Sequence, residues 1–116
     1  MGNTSKDIKH KYMQLLSEKE PFFLDKNYSI IQFAADLGTN RSYASRFVNE
    51  ELGVTFPTLL NSLRLSHFIK LKNESPKANI STLATHCGFN CTLSFRRTFV
   101  KEYGITPSAY FKKNRR

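Results

Sequence analysis

Apolar residues between positions 80 and 110 follow helical spacing in two runs that are separated by a glycine. Ile80, Leu83, Ala84 and Cys87 recur at intervals of 3, 1 and 3, which places them on one stripe of a short amphipathic helix. Gly88 comes next, and glycine adopts the left-handed backbone that closes a helix at little cost. The pattern therefore predicts a short helix, with Asn79 or Ser81 as its N-cap, that ends at Gly88.

A second helix is predicted over residues 91–101, with Asn90 as its N-cap. Phe95 and Phe99 share one face of this helix. Arg96, Arg97 and Lys101 point away from that face, where they can meet an anion. A short amphipathic helix, a glycine turn and a basic helix together are typical of a helix-turn-helix DNA reader.

The same plan occurs fifty residues earlier, in the segment 30–60, so the chain contains an internal repeat. Ala34, Gly38 and Asn40 match Ala84, Gly88 and Asn90 at an offset of 50, and one extra residue then makes the offset 51. At that offset Arg46 matches Arg97, and the exit turn repeats through the pairs Gly53 and Gly104, Val54 and Ile105, and Thr55 and Thr106.

The hydrophobic pattern in the rest of the chain predicts a support helix, a connector and a linker helix. A support helix is predicted over 4–20, stopped by Pro21, and a connector with core aromatics follows over 21–29. Helices are also expected over 30–37, 40–51 and 55–72, and Thr106-Pro107 opens a last one before a frayed basic tail at 112–116. The predicted fold is all-α, with about seven helices and two helix-turn-helix subdomains joined by a long linker helix. The predicted divisions are 1–28 (support helix and connector), 29–54 (first subdomain), 55–73 (linker helix) and 74–116 (second subdomain with basic tail).

Spaced identities within this pattern resemble the signature of the AraC/XylS family of bacterial transcription regulators. The resemblance covers roughly residues 29–111. It rests on the following residues: Ala84, Gly88, Phe89, Phe95, Arg97, Phe99, Gly104, Thr106, Pro107 and Tyr110. The run LGTNRSYASRFVNEELG also looks like members that form the output end of hybrid two-component sensors.

The resemblance implies sequence-specific binding of double-stranded promoter DNA, with the two recognition helices in successive major-groove segments. It also implies contact with RNA polymerase. A full-length regulator of this kind normally adds a sensory or dimerisation domain. We expect the module itself to bind as a monomer, because one chain carries both readers. A linker helix of 17 or 18 residues spans about 26 Å, compatible with readers roughly one DNA turn apart.

The net charge of +9 is unevenly distributed and strengthens this interpretation. Residues 1–25 balance at 4 − 4 = 0, residues 26–74 give 6 − 4 = +2, and residues 75–116 give 8 − 1 = +7. Such a basic region attracts phosphate without conferring a sequence preference. An anionic membrane is not the expected partner, because the terminal KKNRR lacks the apolar face of an interfacial helix.

Arginine is the side chain best suited to read guanine, because its guanidinium can bond O6 and N7 together. Arg46 and Arg97 are therefore the leading candidates, although a phosphate contact or a solvated arginine is the simpler alternative. The family resemblance supports base contacts by Ser42, Ser45 and Arg46. The predicted base contacts are Ser42, Ser45, Arg46, Asn49, Thr92, Leu93 and Arg97. The predicted phosphate contacts are Asn40, Arg41, Asn90, Arg96 and Lys101.

Other chemistry finds little support in the sequence. His86, Cys87, Cys91 and His67 suggest zinc only weakly, since Cys87 lies on an apolar stripe and the spacing is unlike that of zinc sites. No nucleophile has an evident His and acid partner, so neither enzyme activity nor a cofactor is expected. The cysteine usage fits a reduced, cytoplasmic chain. Two alternatives stay open: a helical protein-binding adaptor that uses the 22–24 region, and a non-specific nucleic-acid binder.

Overall fold

The computed structural model describes residues 4–113, which form seven α-helices and one short 3₁₀ helix and contain no strand. The predicted all-α class is therefore confirmed. The helices are α1 (Ser5–Leu16), α2 (Ile30–Asp36), α3 (Arg41–Glu51), α4 (Phe56–Glu74), α5 (Ile80–His86), α6 (Thr92–Tyr103) and α7 (Pro107–Lys113), with the 3₁₀ helix at Phe22–Leu24. The predicted tail at 112–116 begins inside α7, and residues 114–116 lie outside the described range.

The chain divides into two compact units, Met1–Ser62 (unit 1) and Leu63–Arg116 (unit 2). In unit 1, α1 and α2 both pack against α3. Tyr12 of α1 is buried, and its ring centroid lies 6.1 Å from that of Phe33 and 5.4 Å from that of Phe47, both edge to face. This geometry is the favoured one for aromatic pairs. The support helix α1 therefore packs against the apolar side of α3.

Helix α1 is shorter than the predicted 4–20. It ends at Leu16, because Ser17 becomes the C-cap and its hydroxyl donates to the carbonyl of Gln14 at 2.9 Å. A serine that bonds to nearby backbone competes with continuation of the helix.

The connector after α1 is pinned by its aromatic residues, as predicted. Phe23 is buried, and the ring centroid of Phe22 lies 5.0 Å from that of Tyr28 and 5.9 Å from that of Phe33. The Tyr28 hydroxyl donates to Asp36 Oδ2 at 2.5 Å. Because these rings pack within unit 1, the aromatic residues at 22–24 give little support to a protein-binding adaptor.

The turn between α2 and α3 closes in the way that its glycine predicts. Gly38 has φ of 72°, its N–H donates to the carbonyl of Ala35 at 3.0 Å, and the N–H of Thr39 donates to that of Ala34 at 2.9 Å. These two bonds form a Schellman motif, which requires left-handed backbone at its central residue.

Unit 2 repeats this turn, but its recognition helix begins one residue later than predicted. Gly88 has φ of 97°, and the N–H of Phe89 donates to the carbonyl of Ala84 at 3.2 Å. The predicted N-cap Asn90 is wrong. Cys91 caps α6 instead, with an extended backbone and a thiol that accepts from the N–H of Ser94 at 3.4 Å. Asn90 is thus the extra residue of the second turn.

The loop before α5 is fixed by side-chain bonds to its backbone. Lys72 Nζ donates to the carbonyls of Pro76 at 2.6 Å and Ala78 at 2.7 Å. Of the two cap candidates for α5, Asn79 performs the role, with its side chain accepting from the N–H of Thr82 at 3.0 Å.

The core of unit 2 is built around phenylalanine side chains. Phe68 of α4 is fully buried, and its ring centroid lies 4.5 Å from that of Phe95 and 5.8 Å from that of Phe111. Phe99 is also fully buried and lies 5.4 Å from Tyr110. These contacts confirm that the last helix closes the core, and they fix the buried side of α6.

The exit turns of the two recognition helices also match. Gly53 and Gly104 have φ of 71° and 78°, a conformation that other residues adopt only with strain. Thr55 then caps α4, and Thr106 Oγ1 accepts from the N–H of Ala109 at 3.2 Å at the start of α7. Helix α4 continues two residues beyond the predicted position 72.

Candidate DNA interface

Helix α3 presents a polar surface opposite its buried side. Ala44, Phe47 and Val48 are buried, so the intervening positions face solvent. Six neighbouring side chains form an open, nearly flat patch on this side, which we call the reading surface of α3. They are Arg41, Ser42, Ser45, Arg46, Asn49 and Glu50. All four predicted base-contacting residues of the first subdomain are therefore brought together on one surface.

Asn40, predicted to contact phosphate, is exposed at the N-terminal end of α3. Its Oδ1 accepts from the N–H of Tyr43 at 3.0 Å, so the cap occupies the side-chain oxygen. The side-chain amide N–H groups are the part of Asn40 that suits a phosphate oxygen.

Arg46 is accessible on this surface, and neighbouring side chains restrict it only loosely. Its Nε lies 3.9 Å from Glu50 Oε2, and the two side chains are 64% and 68% exposed. Its guanidinium carbon lies 5.7 Å from the ring centroid of Tyr43. Exposed pairs of this kind contribute less than about 1 kcal/mol. Arg46 is therefore oriented along the helix and can exchange these contacts for a ligand.

Neither neighbour of Arg46 is among the predicted contacts. Tyr43 is 38% exposed although it lies next to the buried Ala44, and Glu50 is exposed as well. The spacing of four residues between Arg46 and Glu50 could have revealed their ion pair, since such residues lie one helical turn apart.

Helix α6 presents a corresponding exposed side. Leu93 is 56% exposed, and Arg97 and Lys101 are also exposed. Counted from the N-caps Asn40 and Cys91, Arg46 and Arg97 both stand at the sixth position. The two helices therefore present an arginine at the same point of the helix, although their turns differ by one residue.

Arg96 and Thr92 lie in a separate groove of about 210 Å³ within unit 2. The hydroxyl-bearing residues Ser81, Thr106 and Ser108 also line it. A guanidinium among hydroxyl groups is chemically suited to a phosphate oxygen. Asn90, another predicted phosphate contact of this unit, is exposed in the turn just before α6.

The two units differ sharply in charge. Residues 1–62 contain 7 Lys or Arg and 7 Asp or Glu, giving 7 − 7 = 0, whereas residues 63–116 contain 11 and 2, giving 11 − 2 = +9. The electrostatic attraction for a polyanion therefore comes from unit 2, as the uneven charge along the sequence indicated.

Within residues 4–113, no group of three or more His, Cys, Asp or Glu side chains is placed to hold a metal ion. Cys87 is buried, and burial raises the pKa of its thiol to about 11, so it stays protonated near neutral pH. No helix in the described part of the chain is long and apolar enough to cross a membrane.

Comparison with known proteins agrees with this geometry. Residues 33–113 match a helix-turn-helix domain family. Over 85 residues the chain is 32% identical to an uncharacterized HTH-type transcriptional regulator of Staphylococcus aureus strain MSSA476, covering 73% of this chain and 11% of that protein. Over 94 residues it is 30% identical to the HTH-type transcriptional activator RhaR of Escherichia coli O1:K1 / APEC, covering 81% of this chain and 31% of RhaR. The chain thus spans a third or less of the length of these relatives.

Two solved structures share the fold. The C-terminal domain of AraT, a response regulator from Geobacillus stearothermophilus, superposes with a TM-score of 0.77 at 21% identity, covering 93% of this chain and 85% of that one. A Listeria innocua protein of unknown function superposes with a TM-score of 0.74 at 23% identity, covering 93% and 97%. The family match, the relatives and the doubled turn agree with one another. The chain therefore belongs to the AraC/XylS-type helix-turn-helix family of bacterial transcription regulators and is a DNA-binding domain of that type.

Proposed function

We propose that this domain binds a specific double-stranded promoter site, with α3 and α6 in successive major-groove segments. The observation that carries the proposal is the matched pair of exposed arginines, Arg46 and Arg97, each at the sixth position after the N-cap of its helix. A guanidinium at such a point can bond guanine O6 and N7 together, which no neutral side chain does in the same way.

The side chains around each arginine complete the proposed base contacts. On α3, Ser42, Ser45 and Asn49 share the reading surface with Arg46. Hydroxyl and amide groups both donate and accept, so they can bond to base edges or to phosphate. On α6, the exposed Thr92 and Leu93 offer methyl groups to a thymine methyl.

Phosphate contacts position the domain on the duplex in this proposal. Arg41 and Asn40 would serve unit 1, and Asn90, Arg96 and Lys101 would serve unit 2. The groove around Arg96 and the charge of +9 on residues 63–116 support the larger share for unit 2. These contacts contribute affinity and orientation, whereas base contacts contribute preference.

The proposal extends to partners by family membership. A domain of this type would act on transcription in the bacterial cytoplasm, through contact with RNA polymerase at a promoter. RhaR is an activator, and AraT is a response regulator, so a sensory or dimerisation domain elsewhere in a longer protein is the expected source of control. The domain itself would bind its site as a monomer, because it carries two readers.

Arginine substitutions test base reading directly. On a duplex selected by the unchanged chain, we expect Arg46→Ala and Arg97→Ala each to cost about 1–3 kcal/mol and to relax preference at one or two positions. Arg46→Lys is the matched control for charge, because it keeps the cation but replaces the planar guanidinium by a flexible ammonium group. It should retain affinity for unrelated duplexes and lose less of the preference for guanine than Arg46→Ala. Lys101→Ala should weaken all sequences alike. If both alanine variants lost affinity evenly across sequences, the arginines would contact phosphate only.

A further inference from the structure

The reading surface of α3 contains a carboxylate among groups that would otherwise suit any DNA. Of the six side chains that line it, Glu50 is the acidic one, and its side chain is 68% exposed. A negative charge near phosphates opposes binding, so Glu50 lowers the general affinity of this surface. Its position beside Arg46 indicates a selective role instead.

We propose that Glu50 determines specificity by accepting a hydrogen bond from the exocyclic amino group of cytosine or adenine, close to the guanine that Arg46 contacts. The inference rests on the proposed function, because it requires α3 to lie in the major groove. A carboxylate can only accept hydrogen bonds. In the major groove, cytosine N4 and adenine N6 are the base donors, whereas guanine and thymine present only acceptors there. Every base pair carries one such amino group, so Glu50 favours cytosine or adenine over guanine or thymine on the strand that it faces.

The helix geometry determines which base pair Glu50 reaches. Ser42, Arg46 and Glu50 are four residues apart in turn, so they form one row along α3. Four residues rise about 6 Å along a helix, and base pairs are stacked about 3.4 Å apart. Glu50 would therefore meet a base within two steps of the guanine bound by Arg46.

The existing ion pair does not prevent this contact. Arg46 Nε and Glu50 Oε2 are 3.9 Å apart, both side chains are mostly exposed, and such pairs are weak. Arg46 can turn to guanine while Glu50 stays beside it as an acceptor. Arg46 would then donate to guanine, and Glu50 would accept from the amino group of a neighbouring base.

Unit 2 provides an internal contrast. Glu50 is the tenth residue after the cap of α3, and the tenth residue after the cap of α6 is Lys101, a cation. Helix α6 therefore carries no carboxylate at the matching position, and we assign Lys101 to phosphate, so the two helices would use this position differently. The half-site of α3 should require cytosine or adenine on the strand that Glu50 faces, and the half-site of α6 should lack that requirement.

The test compares selection of bound duplexes from a random pool by the unchanged chain, by Glu50→Ala and by Glu51→Ala. Alanine is used because glutamine would itself bond adenine N6 and N7. Glu51 is the matched control, because it is the adjacent exposed acid and does not line the reading surface. Both substitutions remove one negative charge from exposed positions of α3. Glu50→Ala should reduce the preference for cytosine or adenine at one position near the guanine by about fivefold or more. Glu51→Ala should return the original motif.

A second measurement isolates the amino group. In the selected duplex, the amino-bearing base is replaced by an analogue with hydrogen in place of the exocyclic amine. The unchanged chain should lose about fivefold or more in affinity, and Glu50→Ala should lose markedly less. Equal losses for the two proteins, or an unchanged motif for Glu50→Ala, would overturn the role of Glu50. The absence of any motif with the unchanged chain would instead refute the proposed function itself.

Discussion

Removing the two cations of α6 that we assign to phosphates should reduce the salt dependence of DNA binding by a calculable amount. Arg96 and Lys101 are exposed, and they lie in the unit that carries the net charge of +9. Each phosphate contact adds about 0.9 to the slope of log K against log salt. The double variant Arg96→Ala/Lys101→Ala should therefore lower that slope by about 1.8.

The expected change in affinity with salt is large enough to measure directly. Between 50 and 200 mM salt, one contact changes affinity by roughly 3.5-fold, and two contacts change it by roughly 12-fold. Fluorescence anisotropy with a labelled duplex at several salt concentrations measures the slope directly. Lys9→Ala/Lys11→Ala is the matched control, because it removes the same charge from exposed positions on α1 that are not among the predicted DNA contacts.

The control should shift affinity slightly and leave the slope almost unchanged. Equal slopes for the two double variants would refute the assignment, since net charge alone would then explain binding. A slope unchanged by Arg96→Ala/Lys101→Ala would show that these side chains do not meet phosphate.

Three further predictions concern stability. Phe68→Ala should destabilise the protein by about 3–5 kcal/mol in urea unfolding, because it opens a cavity beside Phe95, whereas Leu93→Ala, at a residue 56% exposed, should change little. Asn40→Ala should cost about 1 kcal/mol by removing the cap of α3, and a change below the error of the urea measurement would contradict the role of that hydrogen bond. Burial, and next the charge of Lys70, lower the pKa of His67 below its ordinary value, so the unfolded chain binds a proton more readily. His67 therefore contributes stability above pH 6.5 that is lost as pH falls through its folded-state pKa. In melting curves recorded from pH 7.5 to 5, His67→Gln should reduce this loss of stability at low pH.

Most of the fold could be predicted from the sequence, because the residues that start and end its helices act locally. The glycines of both turns and the caps Asn40 and Thr55 act within a few residues, so spacing locates the turns and the starts of α3 and α4. Family membership could be predicted for the same reason, since the repeated turn is a pattern of spaced residues.

What could not be predicted depends on competition between neighbours. Asn90 and Cys91 both precede α6, and asparagine is the stronger cap by preference. The turn closes at Phe89, Asn90 follows as an additional residue, and Cys91 has the extended conformation of the cap. Composition gives no signal for that choice.

The candidate site likewise has one part that the sequence predicts and one part that it does not. The exposed positions of α3 follow from helical periodicity, which is why four predicted residues share one surface. Glu50 is not among the predicted contacts, because a carboxylate is repelled by phosphate. The structure draws attention to it through its distance from Arg46.

Selection of bound duplexes from a random pool, with this 116-residue chain at near-physiological salt, tests the central claim most directly. We predict a motif with two information-rich blocks about one helical turn apart, each containing a guanine. Recovery of a single block would contradict the claim that both helices read bases. Recovery of no motif would contradict specific recognition by this domain altogether.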